Sequence, residues 1–332
     1  MKKMFGFLSL ILLLFPFLMQ SNIIAQTSGY KIVKTIPIGG ETRWDYLAVD
    51  NTYHRLFLSH SSSVAVIDIS NNSFITEIKD LQGVHGICFA PEFNKGFISN
   101  GRDSSVTVFD LKTLKVLSKI QVTGKNPDAI MYDPFTKRVF IMNGRSANTT
   151  AIDAKSGKVV GTLALDGKPE FAVSDLTGKV YVNIEDKSEI QEFDSKNLKV
   201  LNTWSIAPGE EPSGLAIDIK NNRLFSVCGN ELLVVVDSKS GKIITTLPIG
   251  KGVDACVFDN EDQQIFSSNG EGNLTVIKEK SPSDFEIIDT IITERGARTM
   301  AFDEKTKKIF TDAAPEGKDG SKNFTVLVLG KN

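Results

Sequence analysis

Seven copies of one short segment recur along this chain at nearly constant spacing. Each copy is mainly apolar, six of the seven end in aspartate, and successive copies are 40 to 44 residues apart. A repeat of this period is typical of solenoids, propellers and other arrays of one supersecondary unit. The copies span residues 46–50, 86–90, 129–133, 171–175, 214–218, 255–259 and 299–303.

Each unit continues with three further strand-like segments. The third segment alternates, as in Val106, Val108 and Asp110, and this period of two predicts a half-buried strand. Between the third and fourth segments, four units place an aspartate at the start of a turn. Such a carboxylate accepts backbone N–H bonds, so we interpret these aspartates as structural. They are Asp110, Asp153, Asp194 and Asp237.

The two ends of the chain indicate that the array is a closed ring. The last unit stops after its third strand at 324–329, whereas residues 30–38 resemble the fourth strands at 157–165 and 241–249. An N-terminal strand that completes the last blade removes the exposed sheet edges of an open stack. The sequence therefore predicts an all-β, seven-bladed β-propeller with four antiparallel strands per blade. It forms one domain over residues 26–332, with blades starting near residues 45, 85, 128, 170, 213, 254 and 298.

Two units depart from the repeat. The sixth carries residues 279–284 where other units have the aspartate turn, and the seventh carries an insertion at 313–322. We expect both to be solvated loops, and a role in contacting a partner is the second interpretation.

Residues 1–25 have the composition of a secretory signal peptide. Lys2 and Lys3 precede an apolar run that reaches Met19, and a short segment that begins with the polar Ser21 and leads to the small residue Ala25 follows. The alternative is a permanent anchor, but the run is interrupted by Pro16 and is short for a bilayer span of about 20 residues. We expect cleavage after Ala25, no stable membrane span thereafter, and a periplasmic or secreted protein.

The strand segments at 139–143 and 180–183, with the Val-x-Val-x-Asp strands and Gly-Lys-Val-Val turns, resemble the YVTN-repeat β-propellers. Within that family the sequence resembles the periplasmic YncE-like proteins. The resemblance covers essentially the whole mature chain and implies fold and compartment. It implies little about function, because related propellers carry unrelated activities. Binding of single-stranded DNA and surface ligand capture are attributed to relatives, without residues that carry over to this chain.

One repeat position, five residues before the end of each copy, is polar in all seven units. In a propeller, the connection from one blade's outer strand to the next blade's inner strand reaches the mouth of the central channel, where we place this ring. Blade packing needs none of these side chains, so we predict a site for a small polar or cationic ligand; the alternative is a mouth that is polar only because it is solvated. The ring comprises Asp45, His85, Asp128, Glu170, Ser213, Asp254 and Arg298.

A second tier is expected to face the same mouth from the turns after the second strands. Arg102 and Arg145 lie in paired Asn-Gly-Arg turns, and a guanidinium offers a planar fork of donors to an anion; Asn-Gly is also an ordinary turn former. Trp44 precedes the ring and is the aromatic residue expected to be exposed there. The remaining members of the tier are His60, Asn100, Asn143, Glu185 and Asn269.

The ring contains carboxylate and imidazole groups, which are ligands of divalent metal ions in proteins. A divalent metal is the one cofactor that these residues suggest. The metal candidates are Asp45, His85, Asp128, Glu170 and Asp254. A bound ion that polarises a carbonyl would make the protein a lactonase-like hydrolase. The chain lacks a Gly-x-Ser-x-Gly elbow, a His-Glu-x-x-His motif and a phosphate loop, so binding or scaffolding is favoured over catalysis.

The net charge and the cysteine content narrow the remaining classes of function. A formal net charge of -2 and acids at the mouth disfavour nucleic acid, although base stacking on Trp44 keeps single-stranded DNA as an alternative. The three cysteines show no CxxC spacing. Cys88 and Cys256 fit buried strands, whereas Cys228 follows a strand, which leaves a Cys228–Cys256 bridge open. We expect a monomer whose partner is a small ligand or another exported protein.

Overall fold

The computed structural model describes Met1 and residues 27–39, 44–314 and 324–331. The expected signal peptide therefore lies almost entirely outside the described residues, as do residues 315–322 of the blade 7 insertion. The described chain forms seven four-stranded sheets. Each sheet is one blade, and in blades 1 to 6 the inner strand comes first in sequence.

The first three blades follow one another without interruption. Blade 1 contains β2 (Trp44–Asp50), β3 (Arg55–His60), β4 (Ser63–Asp68) and β5 (Ser73–Ile78). Blade 2 contains β6 (Val84–Ala90), β7 (Lys95–Asn100), β8 (Ser105–Asp110) and β9 (Val116–Gln121), with a short 3-10 helix at Pro91–Phe93. Blade 3 contains β10 (Pro127–Asp133), β11 (Arg138–Asn143), β12 (Asn148–Asp153) and β13 (Val159–Ala164).

Blades 4 to 7 repeat the arrangement. Blade 4 contains β14 (Pro169–Ser174), β15 (Lys179–Ile184), a 3-10 helix (Glu185–Lys187), β16 (Glu189–Asp194) and β17 (Lys199–Ser205). Blade 5 contains β18 (Pro212–Asp218), β19 (Arg223–Cys228), β20 (Leu232–Asp237) and β21 (Ile243–Pro248). Blade 6 contains β22 (Val253–Asp259), β23 (Gln264–Asn269), β24 (Asn273–Ser281) and β25 (Asp284–Ile292). Blade 7 contains β26 (Met300–Asp303), β27 (Lys308–Ala313), β28 (Thr325–Gly330) and β1 (Lys31–Pro37).

Ring closure by the N-terminal strand is confirmed. The last sheet has the order β1-β28-β27-β26, and β1 runs antiparallel to β28 with Ile32 opposite Leu329 and Pro37 opposite Thr325. Just before β1, the Tyr30 hydroxyl donates to the Lys307 carbonyl at 2.8 Å. The first and last segments of the chain therefore share one blade, as predicted.

The core lies in the second and third strands of every blade. One position of the second strand is aromatic in all seven blades and at most 2% exposed: Phe57, Phe97, Phe140, Tyr181, Phe225, Phe266 and Phe310. The prediction of half-buried third strands is wrong. In β8 every residue except the terminal Asp110 is buried, because each blade packs against a neighbour on both faces.

The turn aspartates act structurally, as predicted. Asp153 Oδ1 accepts the Ser156 N–H at 2.7 Å and the Ser156 hydroxyl at 2.6 Å. Asp194 likewise accepts the N–H of Asn197 at 2.8 Å. These contacts close the turn between the third and fourth strands at the end of the blade opposite the channel mouth.

Blade 6 corrects the prediction of a solvated loop at 279–284. Strands β24 and β25 are nine residues each and pair as far as Ser281 opposite Asp284, so the extra residues lengthen a hairpin. Glu279 is only 3% exposed, and its carboxylate accepts from the Asn221 amide at 3.1 Å. The start of this segment is therefore packed against blade 5, whereas residues 282–284 at the tip of the hairpin are exposed.

The prediction that Cys228 follows a strand is also corrected. Cys228 ends β19 with no exposed surface, because the last residue of each second strand points between blades. Cys88, Cys228 and Cys256 are all buried and free, so no bridge joins Cys228 to Cys256. Within residues 27–39, 44–314 and 324–331, no helix has the length and apolar character needed to cross a membrane.

Candidate functional site at the channel mouth

The seven ring residues converge on one cavity of about 380 Å³, which we call the acidic cavity. In blades 1 to 6 the ring residue is the second residue of the inner strand, and in blade 7 Arg298 lies two residues before β26. Their convergence follows from the repeat, because equivalent positions in a closed ring face one axis. The cavity is lined by Asp45, His85, Asp128, Glu170, Ser213, Asp254 and Arg298 together with Tyr46, Lys168, Glu185, Glu211, Gly229 and Val253.

A bulge at the start of the inner strand frees the ring residues from regular pairing. In blade 1, Trp44 faces His60 but Leu47 faces Leu58, so one extra residue separates these pairs. A second-strand hydroxyl satisfies the loosened backbone: Ser59 Oγ accepts the Tyr46 N–H at 2.7 Å.

The same second-strand position also holds the ring backbone of the next blade. Ser99 Oγ donates to the Asp128 carbonyl at 2.5 Å, and the Asn183 amide donates to the Ser213 carbonyl at 2.9 Å. Because Ser99 and Asn183 are fully buried, the ring is fixed by packed elements. The residues at this second-strand position were not among the predicted site residues. Their polar side chains inside otherwise apolar strands were the signal that could have identified them.

Asp45, His85 and Asp128 form the tightest group in the acidic cavity. His85 Nδ1 donates to the Asp45 carboxylate and lies 3.6 Å from Asp128 Oδ1. One donor atom from each residue lies within 4.8 Å of the others, so the group has the composition of a metal site. Burial opposes the charged imidazole, but Asp45, Asp128 and Glu170 outweigh it and raise the pKa of His85.

On one side of this cavity, Lys168 forms ion pairs with two acidic residues. Its Nζ lies 2.8 Å from Glu170 Oε1 and also contacts the Glu185 carboxylate. Burial raises the pKa of Glu170 to about 8, with the charge of Asp128 adding to the effect and Lys168 opposing it. Lys168 was missed by sequence analysis because it precedes the ring position by two residues.

On another side of the cavity, Asp254 pairs with Arg298. Arg298 Nε lies 3.2 Å from Asp254 Oδ2. Burial nevertheless raises the pKa of Asp254 to about 7 and that of Asp128 to about 6, against the attraction of Arg298 and His85 respectively. Perturbed carboxyl groups in a concave site are a recognised mark of function.

Tyr46, which lines the acidic cavity, belongs to an aromatic pair that joins two blades. Tyr46 of blade 1 stacks on Phe171 of blade 4 with 4.9 Å between ring centroids, and both also line an apolar space of about 120 Å³. Burial and the nearby carboxylates raise the pKa of Tyr46, which keeps its hydroxyl protonated. At this repeat position blades 1 and 4 carry the aromatic residues Tyr46 and Phe171, whereas blades 2, 3, 5, 6 and 7 carry Gly, Ala, Gly, Ala and Thr. The two aromatic residues were therefore the sequence signal for this contact.

A second cavity of about 400 Å³ adjoins the first, and we call it the arginine cavity. It shares Asp45 and His85 with the acidic cavity. Both Arg102 and Arg145 line it, as the second tier predicted, and Trp44 forms part of its wall. The remaining lining residues are Ser61, Gly83, Val84, Gly101 and Asn126.

Several second-tier residues do not line either mouth cavity. His60 is 5% exposed and stacks on Phe324 with 4.7 Å between ring centroids, and Trp44 also stacks on Phe324, at 5.4 Å. Asn100, Asn143 and Asn269 are fully buried and bond to third-strand side chains, as Asn143 does to Asn148 at 2.8 Å. The last residue of a second strand points between blades, which explains the error.

Comparison with protein-family models finds none that matches this chain. Comparison with curated proteins finds no significant relative. The fold and the two cavities therefore define the protein as a seven-bladed β-propeller with a charged, concave channel mouth.

Proposed function

We propose that this protein is a binding protein whose acidic cavity holds a cationic group. One observation carries the proposal: among the residues that the structure describes, six carboxyl groups line this cavity, and its basic groups are Lys168, Arg298 and His85. Three of those carboxyls have raised pKa values near neutrality. A cation that enters would stabilise their charged forms, so the cavity favours a positively charged ligand.

Two kinds of cationic group fit this chemistry. A divalent ion has Asp45, His85 and Asp128 as candidate ligands, with oxygen and imidazole donors suited to several metals. To bind it, the His85–Asp45 hydrogen bond must open. An organic ammonium needs no such opening, because it donates hydrogen bonds to carboxylates as they stand.

The proposal also includes export and membership of the YVTN-repeat, YncE-like group. Its support is the charged and then apolar character of residues 1–25 and the repeat residues already described. Intact-mass analysis of protein from the native host should give an N-terminus at or near Gln26. A soluble cytoplasmic pool that retains residues 1–25 would contradict export.

The test of cation binding is calorimetry on a charge-neutralised mouth. The variant D45N/D128N/E170Q/D254N should remain folded and lose at least about 100-fold in affinity for the tightest cation, because each charge-assisted bond contributes about 1.5–3 kcal/mol. Probes are Ca²⁺, Mg²⁺, Mn²⁺, Zn²⁺ and butylammonium.

The matched control removes four negative charges from exposed positions at the opposite end. The variant E261Q/D284N/E286Q/E304Q changes residues that line neither mouth cavity and should bind as wild type does. An equal loss of cation affinity in both variants would show that the net negative charge of the protein, and not the mouth carboxylates, attracts the cation. Undiminished binding in the mouth variant would move the site elsewhere.

A metal-assisted hydrolase is the second candidate, favoured by the Asp45–His85–Asp128 group. In that case the three residues would hold an ion that polarises a lactone or ester carbonyl. Initial rates against a lactone and ester panel should then vanish with EDTA and in Asp128→Asn. Single-stranded DNA is disfavoured by the acids at the mouth.

A further inference from the structure

The basic residues around the mouth fall into two groups. Lys168 is ion-paired with Glu170 and Glu185, and Arg298 is paired with Asp254. Arg102 and Arg145 are exposed, and neither has an acidic partner in the part of the chain that the structure describes. If the arginines served only to balance the acids, they too would be paired.

Local glycines position Arg102 and His85 at the arginine cavity. A Cβ at Gly83, where φ is +67°, would lie 2.8 Å from Arg102 Cγ, so the side chain of Arg102 lies directly against this backbone. A Cβ at Gly101 would lie 2.6 Å from His85 Nε2. Any larger residue at either position would displace the side chain beside it.

His85 stands between the two cavities. Its Nδ1 edge faces Asp45 and Asp128, while its Nε2 edge lies against Gly101, which lines the arginine cavity. Because Asp45 and His85 line both spaces, the cavities are adjacent. One end of this combined site is rich in carboxylates, and the other carries the guanidinium groups of Arg102 and Arg145, which have no acidic partner within residues 27–39, 44–314 and 324–331.

From this charge separation we propose that the ligand is a small zwitterion of the amino-acid or short-peptide type. The inference rests on the proposed function, since the cationic group in the acidic cavity is the ligand's ammonium. Its anionic oxygens, a carboxylate or a phosphate, bind Arg102 and Arg145, whose planar forks match such groups. Trp44 supplies a flat apolar wall beside the connecting atoms.

The experiment is calorimetry in EDTA with probes that differ by one charged group. The zwitterions are ω-amino acids of increasing length and glycylglycine, with phosphoethanolamine as the phosphate arm. Butylammonium and butyrate are the single-charge references. We expect the best zwitterion to bind at least about tenfold more tightly than either reference, since both ends form charge-assisted bonds.

The variant Arg102→Gln/Arg145→Gln should remove that tenfold advantage without weakening butylammonium binding, because it takes positive charge away from the neighbourhood of the acidic cavity. Arg295→Gln is the matched control, because Arg295 is exposed and lines neither cavity; it should bind every probe as wild type does. A stronger response to phosphoethanolamine than to all carboxylates would assign the anion as phosphate.

Other outcomes overturn the inference in distinguishable ways. If butylammonium matches the best zwitterion in both wild type and the double variant, the zwitterion is wrong while the cation site stands. If butyrate alone matches it and the D45N/D128N/E170Q/D254N variant retains that binding, the site is an anion site. If no cation, metal or zwitterion binds, the proposed function fails as well.

Discussion

Aspartates at the two ends of this propeller differ sharply in their surroundings. At the end opposite the mouth, the hydroxyl and N–H of Ser156 lower the pKa of Asp153, and the N–H of Asn197 lowers that of Asp194. At the mouth, burial raises the pKa values of Asp128 and Asp254. The same residue type is therefore stabilised as a charged group at one end and destabilised at the other.

The difference lies in where each carboxylate finds its partners. A turn aspartate is satisfied by residues two or three positions away, whose N–H groups the turn itself presents. The mouth acids come from different blades and face one another across a concave space. Their negative charge has too few internal partners, which is why we assign ligand binding to the mouth and structure to the turns.

The largest expected effect is on ligand affinity as pH changes. The pKa values of Asp128, Asp254 and Glu170 are about 6, 7 and 8, so cation binding must displace protons at low pH. Affinity should rise by about tenfold or more between pH 5.5 and pH 8.5. Calorimetry in buffers of different ionisation enthalpy should register proton release. A cation affinity that does not change with pH, without proton release, would contradict the assignment of ligand binding to the protonated carboxyls of the mouth.

The stability of the ligand-free protein should change with pH in the opposite sense. The three folded-state pKa values lie above the values near 4 expected for unfolded carboxyls. The folded state then holds more protons between about pH 4 and pH 8, and the free energy of unfolding falls as pH rises through that window.

Urea unfolding near pH 5, 7 and 9 measures this slope. The variant D45N/D128N/E170Q/D254N should flatten it, and E261Q/D284N/E286Q/E304Q should keep the wild-type slope. A wild-type slope in the mouth variant would mean that other groups carry the pH dependence.

The smallest effect is expected at the turns. Asp153→Ala should cost about 1 kcal/mol of unfolding free energy at neutral pH, since it removes bonds to one N–H and one hydroxyl. Because the pKa of Asp153 is lowered, this contribution should be lost only as pH falls below about 4. Ligand affinity should not change.

Asp284→Ala is the control for the turn substitution, because Asp284 is exposed and turns the blade 6 hairpin without the Asp153 type of contact. It should change stability by less than about 0.5 kcal/mol. Equal losses in the two variants would show that the turn bonds of Asp153 contribute little.

The sequence alone determined the architecture. The spacing of the seven copies predicted seven blades, and the likeness of residues 30–38 to the fourth strands predicted the closure that β1 and β28 form. It also assigned the turn aspartates correctly. These features are accessible because they depend on local periodicity and on contacts within one blade, which repeat with the sequence.

Only the tertiary structure decided which mouth residues meet. It brought Asp45, His85 and Asp128 together, paired Arg298 with Asp254, and left Arg102 and Arg145 in a separate cavity. It also turned His60 and the second-strand asparagines into the space between blades, where their amides bond to third strands. The contacts at the mouth join residues of different blades that are 40 or more positions apart in the sequence, and their geometry depends on how the closed ring packs, which no single repeat encodes.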